Sequence, residues 1–161
     1  MQSINESAVW ERVTAASRSG DGPASPAAPI GPELLSALER EQESIRRYQA
    51  LLPRVGGEEQ RILREVLQLS RQQYRDLSAL CYFLTGSHPA LSPAAPVKTT
   101  RQPLRETLRS MLQREELSLG RLESLAGRST GEARETLLAS ARQDHRQFRL
   151  LLSLLGRHLD G

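Results

Sequence analysis

A carboxylate stands in the middle of an apolar helical stripe, and the same arrangement returns 74 residues later. The first stripe is Leu34, Leu38, Glu41, Ile45, Tyr48 and Leu52. The second is Leu104, Leu108, Met111, Glu115, Ser118, Leu122 and Leu125. Alternating steps of four and three keep each set on one face of a helix. Glu41 and Glu115 therefore point where leucines point. A lone buried carboxylate costs several kcal/mol unless it is paired, protonated or bound to a metal. Two such positions in register call for a metal site or the remains of one.

The register extends well beyond the two glutamates. A shift of 74 residues superimposes Ser44 on Ser118, Arg47 on Arg121, Gly57-Glu58 on Gly131-Glu132, Gln73 on Gln147 and Tyr74 on Phe148. Of the 53 positions from Leu34 to Gly86, 16 are identical to their partners, and the matched Glu, Gly and Gln positions outweigh the abundant Leu and Arg. The plain alternative is two ordinary amphipathic helix pairs. A repeated helical hairpin builds a four-helix bundle, because one hairpin cannot cover its own apolar face.

Proline and glycine punctuate the chain accordingly. The spacing predicts helices over 33–52, 58–84, 103–126 and 132–159, with Pro53 stopping the first and Gly86 the second. Ile62, Val66, Leu69, Leu77, Leu80 and Leu84 form the apolar set of the second helix. The connections run short, long, short. The long one, SHPALSPAAPVKTT, suits a crossover along the bundle, which an up-down-up-down arrangement would not need. Residues 1–31 read as a flexible N-terminal tail rich in Ser, Gly, Pro and Ala, with Trp10 as its one large aromatic. Residues 32–161 make the bundle domain.

Composition narrows the function classes. The net charge is +3, with charges of both signs interspersed over helix surfaces, which argues against a nucleic-acid interface. No apolar run reaches the length of a membrane span. The N-terminus lacks a basic-then-apolar signal pattern and the single cysteine, Cys81, suits a reducing compartment, so a cytoplasmic location is expected. Cys81 itself reads as a small core residue. His88 and His158 read as exposed. There is no Gly-rich phosphate loop and no CxxC pair.

With Glu41-Gln42-Glu43-Ser44-Ile45-Arg46-Arg47-Tyr48 on the first helix and Glu115-Glu116-Leu117-Ser118 on the third, the chain resembles the ferritin-like superfamily, its rubrerythrin-type branch most of all. The resemblance covers about residues 33–160. The ending Tyr82-Phe83-Leu84-Thr85-Gly86 before a Pro-rich crossover is also similar to small bacterial ferritin-like proteins. The resemblance implies an all-α, ferritin-like four-helix bundle of two repeated hairpins. It further implies two iron or manganese ions held by one Glu from the first and third helices and an E-x-x-H pair from each of the others.

The chain departs from that pattern. The second helix reads Ser70-Arg71-Gln72-Gln73 and the fourth Asp144-His145-Arg146-Gln147, so both family histidines are Gln. A shifted register would retain His145 as a ligand, with Arg142 in place of its Glu. The candidate metal residues are therefore Glu41, Glu115, Asp144 and His145, in a set that reads as vestigial. Hydrogen bonds from Gln73, Tyr48 or Ser44, or pairing with Arg71 or Arg142, would then satisfy the carboxylates. The expected function is a non-catalytic binding or scaffold role without a cofactor, with a protein partner or a second copy of the chain. The alternative is a rubrerythrin-type oxidoreductase or iron-handling protein with an atypical site.

Overall fold

A computed structural model describes residues 30–91 and 102–159. The described residues form four α-helices, one short 3-10 turn and no strand. Helix α1 spans Gly31–Leu51, α2 Gly57–Thr85, α3 Leu104–Gly127 and α4 Gly131–Gly156. Of the expected tail, residues 1–29 with Trp10 lie outside the described residues, as does most of the crossover, whereas Ile30 packs on the bundle and Gly31 already opens α1.

The breaks follow from local chemistry. Pro32 sits in the first turn of α1, where no intrahelical N–H bond is lost. Pro53 lies in the 3-10 turn Leu52–Arg54 that ends the helix. Gly86 closes α2 in the left-handed conformation, φ 75°, and its N–H donates to the Tyr82 carbonyl. Gly57 and Gly131, repeat partners, open α2 and α4 at the same φ of 58°. The repeat in sequence is thus a repeat in backbone geometry.

The helices form a four-sided bundle in which α1 packs on α2, α2 on α4 and α4 on α3. The fourth side, between α1 and α3, has much the sparsest contact. Leu34 and Leu38 cluster with Leu77, Leu80, Leu122, Leu125 and Leu137, and Tyr48 and Leu51 with Leu63, Val66, Leu108, Met111 and Leu151. The start of each helix therefore meets the end of its neighbour, and all four sides are antiparallel. It follows that α2 and α3 run parallel across the diagonal. The end of α2 and the start of α3 therefore lie at opposite ends of the bundle.

Those clusters are two separate apolar cores, one toward each end. Cys81 lies buried in the first, as its apolar setting suggests, and burial pushes its thiol up. The buried face of α1 is Leu34, Ala37, Leu38, Glu41, Ser44, Tyr48 and Leu51, so Ser44 and Leu51 replace the expected Ile45 and Leu52. In α2 the buried set includes Leu63, Leu67, Ser70 and Gln73, whereas Ile62 and Leu69 are half-buried and Leu84 is exposed. His158 is not free at the surface: its Nε2 lies 3.0 Å from Glu59 Oε2.

A buried polar layer between two cores

Between the two apolar cores lies a layer to which all four helices contribute. Its members are Glu41 and Ser44 from α1, Ser70 and Gln73 from α2, Glu115 from α3, and Asp144 and Gln147 from α4, none more than 6 % exposed. Every one sits at a position that helical periodicity turns inward. The 74-residue repeat pairs Glu41 with Glu115, Ser70 with Asp144 and Gln73 with Gln147, so the layer carries the pseudo-twofold character of the bundle.

The hydrogen bonds run across helices. The Tyr48 hydroxyl donates to Glu115 Oε1. The Gln147 side-chain amide donates to Ser70 Oγ at 2.6 Å and to the Val66 carbonyl at 3.1 Å, tying α4 to α2. The Gln73 amide and the Ser118 hydroxyl lie close enough to Asp144 to favour its charged form. Yet neither oxygen of Asp144, nor Glu41 Oε1, Glu115 Oε2 or either end of the Gln73 amide, has a well-formed hydrogen bond.

Burial and mutual repulsion keep protons in the layer. Burial, then the charge of Asp144, pushes the Glu41 carboxyl from 4.5 up to about 8. Burial, then Asp144 and Glu41, raises Glu115 well above the carboxylate range. Asp144 rises from 3.8 to about 6 through burial, opposed by Gln73, Ser118 and Glu115. At neutral pH the negative charge concentrates on Asp144. Burial also raises the Tyr48 phenol, which stays a donor.

The residues singled out from sequence separate into two groups. Glu41, Glu115 and Asp144 come together. His145 does not join them: it is exposed, because one step along a helix turns a side chain about 100° from its neighbour. Arg71 and Arg142, considered as cationic partners, are also exposed and leave the carboxyls to protonation and to Tyr48. Tyr74 packs half-buried against the first core. Sequence reading passed over Arg40 and Arg114, whose charges reach Glu41. The signal was present, since the same shift superimposes these two arginines.

The donor set is a poor match for a di-metal centre. No imidazole points into the layer, and the neutral amides of Gln73 and Gln147 and the hydroxyl of Ser70 are weak ligands for transition metals. Among the described residues, no three His, Cys, Asp or Glu side chains are placed so that they could hold a metal ion. Among those residues, too, no helix is long and apolar enough to cross a membrane.

Compared with known proteins, the chain matches no protein-family model, no curated protein and no solved structure.

Proposed function

We propose that this chain is a non-catalytic ferritin-like bundle, of the rubrerythrin type, in which a proton-holding polar layer stands where a di-metal centre would be. Its role is then that of a binding or scaffold module. One observation carries the reading: the positions that would supply histidines are Gln73 and Gln147, and Gln147 spends its amide on Ser70 and the Val66 carbonyl. Such a group holds two helices together, and its unpartnered Oε1 is a neutral amide oxygen, a weak ligand for a transition metal. The parallel run of α2 and α3 and the short, long, short connections support the ferritin-like half of the proposal.

The unpartnered oxygens of Glu41, Glu115 and Asp144 favour a second reading, a metal-binding oxidoreductase or iron-handling protein with an atypical, oxygen-rich site. Metal content separates the two. The purified, untreated protein is expected to carry far less than one iron or manganese per chain, with a thermal midpoint indifferent to EDTA. Stoichiometric metal, with a midpoint that falls on chelation, would replace the first reading by the second.

A further inference from the structure

The sparsely closed side between α1 and α3 carries a cluster of arginines. Glu43 on α1 organises half of them. Arg47 donates to Glu43 Oε1 through Nη2 at 2.8 Å and Nε at 3.2 Å. Arg114 reaches across from α3 to Glu43 Oε2 at 3.0 Å. One carboxylate thus gathers two guanidiniums, one from each helix.

The repeat makes the other half conspicuous. Shifting by 74 residues takes Arg114 back to Arg40 and Arg47 forward to Arg121. It takes Glu43 to Leu117. The second pair of arginines is present, and the carboxylate that should join them is a leucine. Among the described residues neither Arg40 nor Arg121 makes an ion pair, in contrast to Arg47 and Arg114. Arg40 Nε is buried without a hydrogen-bond partner. The charges of Arg121 and Arg114 bear on Arg40 and, after burial, lower its pKa, so the three guanidiniums are close enough to repel one another. Glu41 and Asp144 act on Arg40 from the interior side in the opposite direction. Leu117 is 61 % exposed, the most exposed large apolar residue among those described.

We propose that Arg40, Leu117 and Arg121 form a docking site for an acidic segment of a partner protein, whose carboxylate takes the place that Glu43 occupies in the other half. A carboxylate set between two guanidiniums gains charge-assisted hydrogen bonds. An aliphatic side chain beside that carboxylate covers Leu117, which a bare inorganic anion leaves wet. A nucleic-acid backbone fits less well, because Glu39, Glu116 and Glu123 are exposed on the same two helices and repel a polyanion. Arg40 feels the charges of Glu41 and Asp144, but none of Arg40, Leu117 and Arg121 is itself a member of the polar layer.

The test supplies the missing carboxylate in two ways. Leu117→Glu supplies it within the chain, with Leu117→Gln as the uncharged control; both changes fall at an exposed position. The Glu variant should have the higher thermal midpoint of the two at low salt, and that difference should shrink at high salt. Equal midpoints would overturn the proposal, since Arg40 and Arg121 would then not face position 117. The second way is a blocked Gly-Leu-Glu-Leu-Gly peptide titrated into the full chain, followed by the arginine Nε–H resonances. It should bind the wild type at millimolar concentration and shift Arg40 and Arg121. The Gln version of the peptide, the Leu117→Glu variant and the Arg40→Gln/Arg121→Gln variant should each bind at least about tenfold more weakly. A peptide response unaffected by these changes would overturn the proposal. So would equal shifts from inorganic phosphate, a salt-sensitive response to duplex DNA at the same arginines, or a dimer of the chain that Leu117→Glu dissociates.

Discussion

Tyr48 and Glu115, 67 positions apart in sequence, meet inside the bundle through a hydrogen bond from phenol to carboxylate. The bond joins α1 to α3 on the side where those helices otherwise touch least. Tyr48→Phe leaves Glu115 Oε1 without its donor in a site closed to water. The variant should lose about 1–2 kcal/mol in urea unfolding. Adding Glu115→Leu to it should recover part of that loss, because an apolar pair leaves no orphaned group. A double variant that is the sum of its single changes would mean the two side chains are not coupled.

The raised carboxyls set the sign of the pH dependence. The native state keeps a proton on Glu41 that the unfolded chain has released, over the window from 4.5 to about 8. Asp144 acts in the same sense between 3.8 and about 6. Where the native state binds more protons, stability falls as pH rises. The bundle should therefore be more stable in mildly acidic than in mildly alkaline buffer. Glu41→Gln should flatten that slope, with its gain greatest above the raised value and little gain below the ordinary one. Thermal scans across this range decide the matter; a midpoint that climbs from acid to alkali would contradict the protonated layer.

Metal dependence should be absent in the wild type and recoverable by design. Replacing Ser70→Glu, Gln73→His and Gln147→His, with Asp144 kept, restores carboxylate and imidazole at inward positions. The variant should then gain stability on adding iron(II) or manganese(II), by about 2.7 kcal/mol at a hundredfold excess over Kd. Calorimetric scans with and without the ion would show it. If the variant folds and ignores both metals, the alignment of this layer with a di-metal site is wrong.

Gly57 and Gly131 share a left-handed conformation that L residues rarely adopt, and nothing lies within 4 Å of a Cβ built at either. The cost of Gly57→Ala or Gly131→Ala is therefore a backbone cost, about 1–2 kcal/mol each. The two sites open different hairpins, so the losses should add in denaturant titrations. A neutral substitution at either would mean that the turn readily takes another conformation.

The repeat and the apolar spacing made the four helices, the short turns and most of the core legible, Leu34, Leu38, Leu108, Met111 and Leu122 among them. Ile45 and Leu52 went astray because the buried face of α1 is centred on Ala37, Glu41, Ser44 and Tyr48, which puts Ile45 at its edge, and because Leu52 already belongs to the 3-10 turn. Ser70 and Gln73 hid the true face of α2, since hydropathy sees no reason to bury them. The repeat still brought Glu41, Glu115 and Asp144 into one register. Their protonation was not legible, because it depends on distances between helices that lie far apart in sequence. His145 shows the limit of spacing arguments: a register two residues off moves a ligand from the interior to the surface.

The arginine-lined seam makes the bundle unequal in the ease with which its parts detach. Helix α1 is anchored mainly through α2, whereas α4 holds both α2 and α3 along broad sides. Partial unfolding should begin with α1 peeling away while a three-helix remnant persists. That step takes Glu41 out of the layer and Tyr48 away from Glu115, admits solvent, and lets Glu115 ionise beside the already charged Asp144. Amide exchange should accordingly be fastest in α1, although α3 is its counterpart in sequence. Two halves written in nearly the same code would thus breathe at different rates.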